Sequence, residues 1–166
     1  MCSDNGISVL NADITDLDEL YEIEASSFAP GMAASKDAFR YRLENHPQWF
    51  FKAVSDGRIV GLVNGSSSTR RYITDDLYQD GAAFDEQGTN LLIYGLAVHP
   101  DYRKRGIAHK LLLTILASAG AHGKDRVSLT CKQHLIGFYE SFGFTNHGIS
   151  ESVAGGVTSY DLEIGL

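Results

Sequence analysis

Three consecutive cations followed by a glycine are the feature of this sequence best suited to chemistry. Arg103, Lys104 and Arg105 precede Gly106, and Ala108, a small residue, follows two positions later. A glycine lets the backbone approach a ligand without a side chain in the way. If a helix starts here, its first N–H groups point outward together at the positive end of the helix dipole. The pattern predicts a site for a phosphate or pyrophosphate group, with a solvated basic turn as the alternative.

The charge of this segment is opposite to that of the rest of the chain. The 166 residues carry a formal net charge of −7. Residues 99–110 contain four cations and one acid, a balance of +3, so the remainder carries −10. Such an acidic chain is poorly suited to general nucleic-acid binding or to docking on anionic lipid, because both depend on clustered Lys and Arg. We expect no nucleic-acid partner and no membrane partner.

Two common phosphate-binding motifs do not fit the segment. A P-loop requires Gly-Lys-Ser/Thr, and no such triplet follows Gly106. The dinucleotide-binding fingerprint requires three glycines in a different register. The predicted anion site is therefore of another kind.

The elements that position this segment are predicted by its hydrophobic pattern. Residues 91–98 form an almost unbroken apolar run, which is typical of a strand buried on both faces. After the basic loop, apolar residues recur every three or four positions from Ile107 to Ala119, which predicts an amphipathic helix. The cations and Gly106 would then lie between a central strand and the start of a helix.

The rest of the chain alternates between helical and strand patterns. Helices are predicted at 16–28, with Asp16 and Glu19 as its capping pair, at 36–46 and at 135–142. Strands are predicted at 49–54 and 58–63, joined by an Asp56-Gly57 turn, and at 126–131 and 157–166. Residues 66–90 are polar and acidic, and we expect either a solvated loop or a lid. These patterns predict one α/β (α+β) domain over residues 1–166.

Composition limits the class of protein. Hydrophobic residues make up 43% of the chain and charged residues 21%, as in globular proteins. Two cysteines do not make a disulfide framework, and neither a signal peptide nor a membrane-spanning run is visible. We expect a cytoplasmic protein that is a monomer or a homodimer.

Several motifs together resemble one enzyme superfamily. The pattern Arg-x-x-Gly-x-Ala at 103–108 is similar to the pyrophosphate loop of the GNAT superfamily of acetyl-CoA-dependent acetyltransferases. Leu-Ala-Val-His at 96–99 and Phe-Tyr-Glu-Ser-Phe-Gly-Phe at 138–144 resemble its arylalkylamine (serotonin) N-acetyltransferase branch. The segments at 22–28 and 156–162 are similar too, so the resemblance spans nearly the whole chain.

The resemblance implies a fold and a set of cofactor contacts. The implied GNAT fold has a mixed, mostly antiparallel sheet, flanked by helices, whose central strand splays from its neighbour. Acetyl-CoA would bind as co-substrate, with its pantetheine arm against the backbone of the central strand and its pyrophosphate at the loop, and Arg103 is expected to make an outer contact. The implied cofactor-binding residues are Leu96, Ala97, Val98, Arg103, Lys104, Arg105, Gly106, Ile107, Ala108, His109 and Tyr139.

Tyr139 matches the tyrosine that the family uses as general acid near the cofactor sulfur. Attack of an amine on a thioester expels a thiolate, and a phenol within hydrogen-bond reach can protonate it. The alternative is that Tyr139 is only one aromatic of a cluster with Phe138, Phe142 and Phe144.

The general base is where this sequence departs from its relatives. The serotonin enzymes place two histidines, two residues apart, on the central strand, and the matching residues here are Leu92 and Tyr94. Leu92 cannot accept a proton, and the ordinary pKa of a tyrosine is about 10. Tyr94 could hold a water that removes the proton, and Glu24 on the first helix could act directly or through water. Aligning a neutral amine could also suffice without a base.

The expected substrate pocket includes Phe28 and Met32, which match the region that folds over the amine, and Ser159. Ser159 stands where the vertebrate enzymes have an aromatic residue, which argues against an indoleethylamine.

We therefore expect direct transfer of an acetyl group from acetyl-CoA to a primary amine of a small molecule, either a polyamine or an arylalkylamine-like compound. We expect no metal and no covalent intermediate on Cys131, which is interpreted as a small buried hydrophobe. A CoA-binding module without catalysis and a protein or peptide N-acetyltransferase are the alternatives.

Overall fold

Within the residues that the structure describes, seven strands form one sheet, which carries four α-helices. The computed structural model describes residues 6–28, 33–75, 84–152 and 156–166. The strands are β1 (Ile7–Asn11), β2 (Phe50–Ser55), β3 (Arg58–Ser68), β4 (Asn90–Val98), β5 (Arg126–Cys131), β6 (Thr145–Ile149) and β7 (Tyr160–Gly165). The helices are α1 (Leu17–Ser27), α2 (Lys36–Asn45), α3 (Ile107–Ala121) and α4 (Ile136–Glu140).

The sheet is antiparallel except at its centre. Its strand order is β1-β2-β3-β4-β5-β7-β6, and only the β4–β5 pair is parallel. Those two strands pair over three positions, from Asn90 opposite Arg126 to Leu92 opposite Ser128. Beyond this point the two strands no longer pair with each other in the described structure, while β4 stays paired with β3 and β5 with β7. The predicted mixed sheet with a splayed central strand is therefore confirmed.

Helices cover both faces of the sheet. On one face α1 and α2 pack against β2–β4, with Leu20, Phe39 and Leu62 fully buried. On the other face α3 buries Leu111 and Ile115 against β1–β4 and β5. Burial of the α3 stripe confirms the predicted amphipathic helix. Among the described residues, no helix combines the length and apolar composition that crossing a bilayer requires.

The predicted hairpin is present, but its second strand is longer than expected. Asp56 and Gly57 both have positive φ, of 50° and 76°, which suits the right-handed twist of the two strands. β3 then runs on to Ser68, and its three last residues pair with the start of β4 and are buried. The prediction of a polar loop is therefore wrong for residues 66–68. Their backbone groups form hydrogen bonds with β4, and this pairing does not require apolar side chains. Residues 76–83 of that loop lie outside the described residues.

Several element boundaries differ from the expectation. The first helix is capped one turn earlier, since the Asp13 carboxylate accepts from Thr15 N and the Asp16 carboxylate accepts from Asp13 N. α4 starts after a short 3₁₀ turn and ends at Glu140, and β7 starts at Tyr160 rather than at residue 157. β1 and β6 were not predicted. Both are edge strands with mostly exposed side chains, so they lack a hydrophobic pattern.

Candidate active site

The first of two adjoining cavities follows the end of β4 and the start of α3. This cavity, hereafter the groove, has a volume of about 610 Å³. It is lined by all but one of the residues predicted to bind cofactor: Leu96, Ala97, Val98, Arg103, Lys104, Gly106, Ile107, Ala108, His109 and Tyr139. Arg105 is the exception, because its guanidinium lies 5.0 Å from the centre of the Tyr102 ring and its Nη2 donates to the Asp101 carbonyl.

The N-terminus of α3 presents free backbone amides to the groove. Gly106 caps the helix with a φ of 79°, and a Cβ added to it would meet no atom within 4 Å. The first helical hydrogen bond runs from Lys110 N to the Gly106 carbonyl, at 3.1 Å. The N–H groups of Ile107, Ala108 and His109 precede that bond, so they have no partner within the helix. An anion such as a pyrophosphate fits this position.

The cations of the basic segment have separate roles. Arg103 donates from Nε to the Val98 carbonyl at 3.1 Å and contacts Ser27 Oγ at 3.5 Å, which ties the loop to β4 and α1. Lys110 donates to the Ile7 carbonyl at 2.7 Å. Lys104 is exposed and lines the groove. Lys104 is therefore the cation best placed to meet a phosphate, and Arg103 stabilises the loop that carries it.

The second cavity lies where β4 and β5 separate. This cavity, hereafter the cleft, has a volume of about 200 Å³, and residues of both strands line it. Leu96 and Tyr139 belong to the walls of both the cleft and the groove, together with Ser27, Phe28, His134 and Leu135. A group bound along the groove can therefore meet a second molecule in the cleft at Leu96 and Tyr139.

Tyr139 is held rigidly at this junction. Its ring packs edge-on against Phe138 and Phe144, with centroids 5.1 and 5.8 Å away. Burial raises the pKa of the Tyr139 phenol, and the nearby Cys131 acts in the same direction. The hydroxyl thus stays protonated at neutral pH and can act as a proton donor.

Glu24 projects from α1 into the cleft. Its Oε2 accepts a hydrogen bond from Ala34 N at 2.8 Å, and the side chain is 4% exposed. Burial raises the pKa of the Glu24 carboxyl to about 7, although the Ala34 amide and the Arg42 charge lower it. A carboxylate that gains and loses a proton near neutral pH suits a general base.

Tyr94 also lines the cleft, from β4. The Arg42 guanidinium lies 4.6 Å from the centre of its ring. Leu92, at the other position where the resemblance implies a histidine, is fully buried. The structure therefore brings Glu24, Tyr94 and Tyr139 together in one cleft.

Cys131 lines the cleft at the end of β5. Burial raises the pKa of its thiol to about 11, with the Glu140 charge acting in the same direction. Since the thiolate is the nucleophile, a thiol that stays protonated at neutral pH is a poor acetyl carrier.

The predicted substrate residues are partly accounted for. Phe28 and Ser159 line the cleft, and Met32 lies outside the described residues. Lys132 and His134 also line the cleft and were missed by the sequence analysis. Their place in the chain could have indicated them, because both residues follow the carboxyl end of β5, which lies parallel to β4.

Comparison with known proteins identifies similar sequences. The model of the acetyltransferase (GNAT) family matches residues 17–144. A serotonin N-acetyltransferase from Mesocricetus auratus is 27% identical over 158 residues, which are 91% of this chain and 73% of that protein.

Solved structures share the fold. The GphF GNAT-like decarboxylase in complex with isobutyryl-CoA superposes with a TM-score of 0.82 at 20% identity, over 95% of this chain and 98% of that one. The ribosomal-protein-S18-alanine N-acetyltransferase from Escherichia coli superposes with a TM-score of 0.71 at 18% identity, over 96% and 93%.

Proposed function

The chain belongs to the acetyltransferase (GNAT) family, and from this premise we propose that it transfers an acetyl group from acetyl-CoA directly to the primary amine of a small molecule. The observation that carries the proposal is the junction at Leu96 and Tyr139 between the groove and the cleft. A proton donor lies at that junction, and a carboxylate with a pKa of about 7 lies in the cleft. Such a pair can serve as general acid and general base in acyl transfer to an amine.

The groove fits acetyl-CoA. Free amides at the start of α3 and the Lys104 ammonium would hold the pyrophosphate, and Gly106 leaves room for it. Among the described residues, β4 has no strand partner on its β5 side after Leu92, so its backbone there would be available to the amide groups of the pantetheine arm. When bound, acetyl-CoA supplies an activated acyl group whose thioester would lie near Tyr139.

The side chains of the cleft would then move two protons. Glu24 accepts a proton from the attacking amine as its nitrogen forms a bond to the thioester carbonyl carbon. The carbon–sulfur bond breaks, and Tyr139 donates its phenolic proton to the leaving sulfur. Glu24 then loses its proton to solvent and the Tyr139 phenolate regains one, so both side chains return to their starting state.

The size and chemistry of the cleft favour a small amine, either a polyamine or an arylalkylamine-like compound. The described cleft has a volume of about 200 Å³, and its walls carry the hydroxyls of Thr130, Ser152 and Ser159 beside apolar groups. The similarity to a serotonin N-acetyltransferase agrees with a small amine. Ser159 lines the cleft where the vertebrate enzymes have an aromatic residue, and the loss of that aromatic wall argues against an indoleethylamine.

An amine at a protein or peptide N-terminus is the second candidate. It is favoured by the similarity of the chain to a putative ribosomal protein bS18-alanine N-acetyltransferase from Bacillus subtilis, which is 27% identical over 149 residues. The two candidates differ in what must enter the cleft, because a peptide brings a backbone and neighbouring side chains with its amine.

A panel of amines separates these candidates. The protein is incubated with acetyl-CoA and polyamines, arylalkylamines or short peptides, and release of free CoA thiol is followed. We expect release with a small primary amine. Release with peptides alone would establish the second candidate, and acetyl-CoA binding without release above background would indicate a CoA-binding module.

A further inference from the structure

A buried polar cluster lies beside the cleft, where β3 faces β4. Asn64 pairs with Gly95, and the next residue, Gly65, pairs with Ile93. Tyr94 therefore has no opposite residue in β3 and forms a β-bulge in β4. Such a bulge bends the strand and re-aims the groups next to it. Asn64 is 1% exposed, although its side chain is polar.

Arg42 fixes the orientation of the Asn64 amide. Arg42 is buried on α2, and its Nη1 donates to Asn64 Oδ1 at 2.9 Å. A guanidinium has only donors, so the Asn64 oxygen must face it and the amide nitrogen must point elsewhere. Asn64 Nδ2 is buried and has no hydrogen-bond partner among the described residues.

A second unpaired atom faces the same place. Glu24 Oε1 is buried and, within the described part of the chain, has no partner either. A Cβ added to Gly95 would lie 3.5 Å from Asn64 Nδ2 and 3.6 Å from Glu24 Oε1, and apart from its chain neighbours no other described atom would lie within 4 Å. The Asn64 donor and the Glu24 acceptor therefore face each other across a space that is open because Gly95 has no side chain.

We infer that Asn64 is a positioning residue for Glu24: its amide N–H, aimed by Arg42, supplies the hydrogen bond that Glu24 Oε1 needs when it is ionised, across the space over Gly95. The inference rests on the proposed function only in taking Glu24 as the base. A small side-chain shift or one water molecule closes the hydrogen bond. An unsatisfied buried donor is costly, and an ionised carboxylate is the strongest acceptor available to it.

Other charged or titratable groups also face Glu24. Arg42 faces it from α2, where its charge lowers the pKa of Glu24. The others line the same cleft: Tyr94 from β4, with Cys131, Lys132, His134 and Tyr139 from β5 and the segment after it. Asn64 differs from all of these, because it has no charge and acts only by a directed hydrogen bond. A change at Asn64 or Gly95 therefore alters that bond and leaves every neighbouring charge in place.

Gly95→Ala is the sharpest test. The φ of Gly95 is not in the left-handed region, and its new methyl would make ordinary contacts of 3.5–3.6 Å, so the variant is expected to fold. The methyl separates Asn64 from Glu24. Loss of a hydrogen bond to a charged group is expected to raise the pKa of Glu24 by about 1. Gly120→Ala is the matched control, because among the described residues a Cβ there would meet nothing within 4 Å beyond its chain neighbours and the backbone of its own helix.

The readout is a ¹³C NMR titration of the glutamate carboxyl groups, combined with the pH profile of kcat/KM. Asn64→Leu is the second variant, because leucine is uncharged, is similar in size to asparagine and removes the amide donor without adding a charge beside Glu24. We expect the Glu24 midpoint to rise in both variants and to stay at the wild-type value in Gly120→Ala.

An unchanged midpoint in both Gly95→Ala and Asn64→Leu would overturn the inference. A raised midpoint in a protein that acetylates no amine would support the inference and contradict the proposed function instead.

Discussion

At the scale of single residues, burial raises the pKa of both Glu24 and Tyr139, which have opposite roles in the proposed mechanism. Burial raises the pKa of Glu24 to about 7 and also raises the pKa of Tyr139. The carboxyl becomes a base that can exchange a proton at neutral pH, whereas the phenol becomes an acid that keeps its proton until one is needed. Environments that separate two pKa values in this way define an acid and a base.

Tyr139→Phe is expected to lower kcat about 100-fold or more, because it removes the proton donor for the leaving sulfur. The Phe ring keeps the edge-on contacts with Phe138 and Phe144. Steady-state kinetics measure kcat, and calorimetry measures the Kd of acetyl-CoA, which should change less than about twofold. Tyr21→Phe is the control, since Tyr21 packs on Phe39 and lines neither cavity. A wild-type kcat in Tyr139→Phe would remove this residue from the mechanism.

At the scale of elements, the site is made by strand separation and by the start of one helix. β4 and β5 pair over three positions and then separate, which opens the cleft. α3 begins beside the end of β4 and turns its free amides toward the groove. The bulge at Asn64 and Gly95 sets what faces Glu24.

Sequence patterns predicted the parts of the site that are local. β4, the basic loop and α3 are consecutive in the chain. The apolar pattern therefore predicted the strand and the helix, and Gly106 after three cations predicted the anion site between them. The role of Asn64 could not be predicted, because it depends on pairing with Gly95 and on Arg42 from another helix. Edge strands β1 and β6 were missed because exposed side chains carry no pattern.

Gly106→Glu is expected to abolish acetyl-CoA binding, because it puts a bulky anion where the pyrophosphate would lie. Gly106→Ala is the matched control, since any side chain at a φ of 79° brings a similar backbone strain of about 1–2 kcal/mol. Calorimetric titration with acetyl-CoA should show a Kd at least about 100-fold weaker for Glu than for Ala. Equal affinities in the two variants would place the pyrophosphate elsewhere.

At the scale of the whole molecule, the net charge of −7 conceals an uneven distribution. The cations of the basic segment are less alike than its sequence suggests. Arg103 and Lys110 contact other parts of the chain, and Arg105 contacts Asp101 and Tyr102 within the segment. What remains is one exposed lysine and a helix N-terminus on an otherwise acidic protein. That arrangement suits an anionic cofactor and a cationic amine that approach different cavities.

The Glu24 carboxyl also makes stability depend on pH. Its folded-state pKa of about 7 exceeds its ordinary value of 4.5, so the folded protein binds this proton more tightly than the unfolded chain. The resulting stability is fully present below pH 4.5 and is lost as the pH rises through 7. Glu24→Gln should therefore raise the free energy of unfolding at pH 8 by about 1–3 kcal/mol. Urea denaturation at pH 8 and pH 5 measures this, and an equal gain at both would contradict the assignment.

The pH profile of kcat/KM with a primary amine tests the central claim most directly. For the wild type, log kcat/KM should rise with a slope of about 2 below pH 7, because Glu24 and the amine must both lose a proton. The slope should fall to about 1 between pH 7 and the amine pKa near 10. In Glu24→Gln the break near pH 7 should disappear, and kcat should fall about 100-fold or more. A Glu24→Gln enzyme that keeps the break and the wild-type rate would contradict the account.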